Sequence, residues 1–186
     1  MMAGLLFVEP DSVNKRRAMQ LGLGSAALTK FCFKMCRMHT TAVEINPQVV
    51  AVCRGWFKLP PEGPRLKIVL ADAGQEIRNP DHTGQIDALH VDLYDHEAAA
   101  PVLDSPDFYA DCRSVLTDEG ALTVNLFGRD TSYERSLQSI CAAFGEDAVW
   151  AFKPTREGNT VVLAQRTADR PTRMALLARA EAIQAR

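Results

Sequence analysis

Asp92, Tyr94, Asp95 and His96 form the densest cluster of reactive side chains in this 186-residue sequence. Two carboxylates three residues apart can hold a cationic amine, and one of them can take its proton. Held together out of water they would repel, which raises the pKa of one. The plainer use of the same residues is an acidic loop that caps the next element. Upstream, Asp72-Ala73 sets a carboxylate beside a small neighbour. The acid can accept from an exocyclic amine while the small residue leaves room for a flat ring; an N-cap for a short helix is the other reading. Glu44 stands twenty residues beyond Gly24, where a carboxylate can accept both hydroxyls of a ribose. A solvated acid, or an acceptor at a helix start, would look the same. Gly22-Leu23-Gly24-Ser25-Ala26-Ala27 supplies small residues where a backbone must turn sharply and approach a ligand. A tight strand-to-helix turn without a ligand needs them too, and Gly22-x-Gly24-x-x-Ala27 also fits the dinucleotide fingerprint.

These segments need elements to carry them. Strand patterns run over Arg17–Leu23, Thr40–Ile45, Leu66–Ala71, Ile86–Asp92 and Ala121–Leu126. Helix patterns run over Ser25–Arg37 with Ser25 as cap, over 47–57 behind the Asn46-Pro47 start, over Ser105–Leu116 and over Thr131–Phe144. A brief helical turn is expected at Gly74–Arg78, and Asp118-Glu119-Gly120 reads as a turn. Two last strands, Ala148–Phe152 and Thr160–Gln165, are separated by about seven residues. That is too short for a parallel crossover, so they should form an antiparallel hairpin. The expectation is an α/β fold with a mostly parallel seven-stranded sheet closed by a C-terminal antiparallel hairpin. Each polar segment then follows a strand, at the carboxyl edge where open α/β sheets bind ligands. Residues 1–168 read as one nucleoside-binding domain and 169–186 as a helical tail.

Composition sets further bounds. A 47% hydrophobic, 24% charged chain excludes disorder, and a net charge of −2 gives no nucleic-acid footprint. No apolar run is long enough to span a bilayer, so no membrane partner is expected. Met1–Val8 is apolar but lacks the layout of a signal peptide, and reads as the end of a helix entering the domain or as a stub. Cys32, Cys36, Cys53, Cys112 and Cys141 are odd in number and contain no CxxC. Buried thiols in a reducing cytoplasm account for them better than a metal site, and no metal is expected. His90 reads as a hydrogen-bonded sheet residue, His39 and His82 show no triad or metal spacing, and Trp56 and Trp150 read as core or edge residues.

In this order the segments resemble those of the spermidine synthase (polyamine aminopropyltransferase) family. Leu21 to Ala27 is similar to the family's glycine-rich GGGDGG loop, Val43-Glu44-Ile45 to its VEID or VEIN segment, and Ala71-Asp72-Ala73 to its GDA. Asp87 through Asp95 resembles its D-x-I/L-x-x-D-x-x-D pattern, and Phe108-Tyr109 the FY that follows. The resemblance implies a Rossmann-like, class I methyltransferase-type fold and a transferase that moves an aminopropyl group from decarboxylated S-adenosylmethionine to a small-molecule amine such as putrescine. It implies Asp92 as the catalytic base, and Tyr94, Asp95 and Ser25 at the amine. Gly22, Leu23, Gly24, Glu44, Ile45, Asp72 and Ala73 would hold the nucleoside of the donor. A homodimer is also implied.

The sequence departs from the family at Ser25, which replaces an Asp, and at Asp92-Leu93-Tyr94-Asp95, which replaces a DSSDP-like loop. The family's small N-terminal β-domain and the Tyr-His pair before its first core helix are expected to be missing. Two other functions stay open on the same residues: a methyltransferase using intact S-adenosylmethionine, and a catalytically degenerate binding module.

Overall fold

The structure is a computed structural model that describes residues 1–94, 103–127, 131–156 and 158–185. Seven strands form one sheet: β1 (Arg17–Leu21), β2 (His39–Glu44), β3 (Leu66–Leu70), β4 (Ile86–Val91), β5 (Leu116–Phe127), β6 (Val149–Ala151) and β7 (Asn159–Gln165). Their order across the sheet is β3-β2-β1-β4-β5-β7-β6. The pairs from β3 to β5 are parallel, and β7 runs antiparallel to both β5 and β6. The expected α/β class, mostly parallel sheet and closing hairpin are all present. The order reverses between β1 and β4, so the crevice opens beyond the carboxyl ends of these two central strands.

The helices are α1 (Ala27–Lys30), α2 (Pro47–Gly55), α3 (Ala73–Glu76), α4 (Pro106–Val115), α5 (Thr131–Phe144) and α6 (Arg173–Gln184). Four of them begin on a side-chain cap. Asn46 accepts from Gln48 N at 2.9 Å, Asp72 from Gln75 N at 2.9 Å, Ser105 from Phe108 N at 3.1 Å and Thr172 from Ala175 N at 3.2 Å. Each side-chain oxygen satisfies a donor that the first helical turn leaves orphaned.

Alternation along the strands divides the core between the two faces of the sheet. Met19, Leu21, Val43, Leu89, Val91, Leu122, Val124 and Leu126 pack on one face with Phe108, Tyr109 and Cys112 of α4 and Ile140 and Phe144 of α5. On the other, small residues Ala18 and Ala88 lie under Leu5, Val8, Val13, Cys32, Cys36 and Met38, while Ala42 lies under Val50 and Cys53 of α2. Gly4 approaches so closely that a Cβ there would sit 3.3 Å from Ala121 Cβ.

Four readings are corrected. Ser25 caps nothing: Ala26, left-handed at φ 59°, precedes α1 without a side-chain cap, because Gly24 and Ser25 are spent on a turn closed by Ala26 N to Leu23 O at 2.8 Å. The helix after it runs only to Lys30 before widening into a π-helix over Phe31–Met35. Asp118-Glu119-Gly120 is no turn but part of β5, absorbed by a register shift that pairs Ile86 with Leu116 and Ala88 with Ala121. Trp56 is 83% exposed, so it is not a core residue. Trp150 does lie on an edge strand, stacked on Phe7.

His90 is a hydrogen-bonded sheet residue, fully buried. Thr123 donates to Met1 O at 2.8 Å, so it accepts from His90 Nδ1 at 2.7 Å. Nε2 is then the acceptor facing Cys32 Sγ at 3.8 Å. Burial pushes the His90 pKa down to about 4 and that of Cys32 up to about 12, so both groups are neutral and inert.

Candidate active site

Beyond the carboxyl ends of β1, β2, β3 and β4 lies a cleft of about 570 Å³. Gly22, Gly24, Glu44, Ile45, Asp72, Ala73, Asp92 and Tyr94 all line it. Residues from 22 to 94 meet there because each lies at or just beyond the end of a parallel strand, and parallel strands end on one edge. Val43, Asn46, Val49, Ala71, Leu93 and Leu103, none of them named as a site residue from the sequence, supply the rest of the wall. Val43, Ala71 and Leu93 lie inside motif segments quoted above, and Asn46 and Val49 just beyond one. Leu103 lies eleven residues past Asp92 and had no local signal. Two expected residues stand apart. Leu23 is buried, 1% exposed, and Ser25 is exposed; neither lines the cleft. Asp95 and His96 lie outside the described residues.

The glycine loop owes its path to close approach. Gly22 has φ +86°, and a Cβ on it would meet the carbonyl oxygen of Asp92 at 2.3 Å. The loop after β1 and the loop after β4 therefore touch through backbone, with Asp92 N donating to Leu21 O at 3.0 Å. Only glycine tolerates both the conformation and the contact.

Glu44 ends β2 and spans two loops. Oε2 accepts from Leu23 N at 3.0 Å and Oε1 from Asn46 N at 2.9 Å. The carboxylate thus ties the glycine loop to the start of α2, which is the helix-start role weighed above. Each carboxylate oxygen has a second acceptor site, so two hydroxyls can still be received from the cleft. Asp72 caps α3 and also lines the cleft. Ile45, 67% exposed, offers an apolar surface at the rim.

Asp92 is half-buried at the end of β4. Its Oδ1 accepts from Asn125 Nδ2 at 3.0 Å. Asn125 Oδ1 accepts in turn from Asn159 Nδ2 at 3.1 Å. The Tyr94 hydroxyl donates to Asn125 O at 2.6 Å. Asn125 was not singled out in the sequence, where it reads as one more residue in an apolar strand.

Three further motif residues are structural. Asp87 sits at the opposite end of β4, where it accepts from Arg17 N at 2.8 Å, Arg16 Nη1 at 3.1 Å and Thr117 Oγ1 at 3.2 Å. It binds the starts of β1 and β5 together. Phe108 and Tyr109 are buried under the site, and the Tyr109 hydroxyl donates to Asp104 Oδ1 at 3.0 Å. Burial, reinforced by Asp104, pushes the Tyr109 phenol above its usual range, so it stays a neutral donor. Among the described residues, no group of three His, Cys, Asp or Glu could hold a metal ion, and no helix is long and apolar enough to cross a membrane.

Known proteins give this geometry a context. No family model matches the chain. A polyamine aminopropyltransferase of Chromobacterium violaceum is 31% identical over 187 residues, covering 100% of this chain and 69% of that protein. One of Neisseria meningitidis is 32% identical over 167 residues, covering 88% of this chain and 60% of that protein. The chain thus spans about three fifths of the length of the Neisseria relative. Among solved structures, human methyltransferase-like protein 13 in complex with SAH superposes with a TM-score of 0.85 at 23% identity, covering 100% of this chain and 89% of that one. Spermidine synthase from Thermotoga maritima superposes with a TM-score of 0.70 at 17% identity, covering 90% of this chain and 58% of that one. At those identities the structural matches speak to the fold, which is that of class I methyltransferases and spermidine synthases. The sequence match speaks to descent: the chain belongs to the polyamine aminopropyltransferase family.

Proposed function

We propose that the chain catalyses aminopropyl transfer from decarboxylated S-adenosylmethionine to a small-molecule amine such as putrescine. The observation that carries this reading is Asp92. Its carboxylate lines the same cleft as Glu44 and Asp72, and among the described residues no donor reaches its Oδ2. The donor's ribose hydroxyls would donate to Glu44, and its adenine would lie between Ile45 and Asp72-Ala73, with the exocyclic amine on Asp72. Gly22, Leu23 and Gly24 would shape the wall beside the sulfonium, the two glycines by lining it and Leu23 by fixing Glu44.

Little covalent help is required, because a sulfonium already leaves readily. The amine lone pair attacks the propyl carbon bonded to sulfur. The carbon–sulfur bond breaks, its electrons neutralise sulfur, and methylthioadenosine departs. Asp92 takes the proton of the attacking amine, and its carboxylate stabilises the positive charge growing on nitrogen. Alignment of amine and carbon in the cleft supplies most of the rate. Tyr94, Asp95 and Ser25 are assigned to the far end of the amine. Residues 1–168 act as the nucleoside-binding unit with 169–186 as its tail, in a homodimer. Five free cysteines suit a reducing cytoplasm.

Fold similarity to a methyltransferase-like protein solved with SAH favours a second reading, methyl transfer from intact S-adenosylmethionine. The test is to incubate the chain with decarboxylated S-adenosylmethionine and putrescine and to follow methylthioadenosine and spermidine by mass spectrometry. Both products should form, and Asp92→Asn should abolish them while methylthioadenosine still binds. Full turnover by Asp92→Asn would overturn the role of Asp92. Methylated amine from S-adenosylmethionine, with no aminopropyl product, would replace the first reading with the second.

A further inference from the structure

We propose that Asn125 and Asn159 form a positioning relay that decides which oxygen of Asp92 receives the amine proton. The inference rests on the reading of Asp92 as the proton acceptor. Asn125 lies on β5 opposite Val161 of β7, and Asn159 opposite Phe127. The two asparagines are therefore diagonal neighbours on one face of the antiparallel β5–β7 pair. Asp92 follows β4, the parallel neighbour of β5 on its other side. Three adjacent strands thus deliver three side chains to one line across the carboxyl edge.

The sense of the hydrogen bonds is dictated by the carboxylate. An ionised Asp92 accepts only, so Asn125 must turn its NH2 toward it. Asn125 then faces Asn159 with its carbonyl, which obliges Asn159 to present its own NH2. The distances, 3.0 Å and 3.1 Å, fit both bonds. The main chain of Asn125 is held from the same side by the Tyr94 hydroxyl, 2.6 Å from its carbonyl oxygen. Asn125 is therefore fixed by its strand, by Tyr94 and by Asn159, and it transmits that fixation to Oδ1 of Asp92. Holding Oδ1 fixes the carboxylate in one orientation, and Oδ2, which no donor among the described residues reaches, is the oxygen assigned to the amine. A carboxylate without the relay rotates about its own bonds and presents either oxygen at a range of angles. For a reaction whose rate comes from alignment, that freedom costs kcat rather than donor binding. Neither asparagine touches the substrate in this account; both act through Asp92.

Two measurements test it. In the transfer assay, Asn125→Leu should lower kcat by about 10- to 100-fold, the scale of a small misplacement of a reacting group. KM for the donor and the affinity for methylthioadenosine should stay within about threefold, because neither involves the relay. Asn159→Leu should give a smaller loss of the same kind, and the double variant should be no worse than Asn125→Leu, since the second asparagine works only through the first. Asn125→Gln, which keeps the amide, should recover part of the loss. Wild-type kcat in Asn125→Leu, beside an inactive Asp92→Asn, would overturn the relay and leave the function intact.

The second measurement needs no activity. In 15N spectra of the full chain, Asp92→Ala should move the side-chain NH2 signals of Asn125 and also of Asn159, two residues down the line. Unmoved Asn159 signals would overturn the relay even if the chain proved to transfer nothing.

Discussion

Replacing Gly22 with alanine tests whether the two loops that frame the cleft are joined as described. The new Cβ would lie 2.3 Å from Asp92 O, 3.1 Å from Asp92 C and 3.4 Å from Leu93 Cδ2. The first two atoms are backbone at the end of a central strand, so they have no free rotation by which to retreat. The φ of +86° adds strain of about 1–2 kcal/mol for an L-residue, and overpacking adds about 1–3 kcal/mol. Together these give a loss of about 2–5 kcal/mol. Gly24 is the control. Its φ is +51° and a Cβ there meets nothing within 4 Å, so Gly24→Ala carries only the conformational cost of about 1–2 kcal/mol. Urea unfolding with linear extrapolation measures both variants. Calorimetry with methylthioadenosine should show at least about a tenfold weaker affinity for Gly22→Ala, because the glycine loop and the Asp92 loop are forced apart. Equal stabilities for the two variants would refute the contact, and with it the claim that backbone proximity sets the spacing of the cleft.

Other perturbations separate binding, architecture and titration. Glu44→Ala strands the N–H groups of Leu23 and Asn46 and removes the ribose acceptor, so methylthioadenosine should bind more weakly by about 1–3 kcal/mol in calorimetry. Asp87→Ala breaks a buried hub remote from the cleft: unfolding should show a loss of about 2–4 kcal/mol, with nucleoside affinity unchanged in the folded fraction. His90 takes up a proton near pH 6.5 when unfolded but only near pH 4 when folded. Its contribution is therefore complete above pH 6.5 and is lost as pH falls toward 4. Between pH 7 and pH 5 urea unfolding should reveal a drop of about 2 kcal/mol that His90→Gln lacks.

Much of this site was legible because it is built from strand ends. Small residues at 22 and 24, an acid at 44, an acid beside a small residue at 72–73 and an acid at 92 each follow a strand pattern. A parallel sheet brings such positions to one edge without further information. The closing hairpin was legible for the same elementary reason: seven residues do not suffice for a crossover. What escaped notice depends on partners distant in sequence. Asn125 acquires its place only through pairing of β5 with β4 and β7, and Leu103 through the return of the chain to α4. The start of β5 was hidden because Asp118-Glu119-Gly120 carries turn chemistry, yet tertiary pairing with Ile86 absorbs it as a bulge. Ser25 looked like a cap because a serine before a helical pattern usually is one. Here the left-handed Ala26 takes the last position before the helix and leaves Ser25 facing solvent. The motif reading was likewise too uniform for Asp87, which shares the acidic pattern but stands at the end of its strand away from the cleft.

In the proposed reaction the cleft holds the nucleoside of a decarboxylated donor. Calorimetric titration of the chain with methylthioadenosine, decarboxylated S-adenosylmethionine and S-adenosylmethionine tests it most directly. Methylthioadenosine should bind, and the decarboxylated donor should bind more tightly than the intact one. Preference for S-adenosylmethionine, or no binding of any of the three, would contradict it.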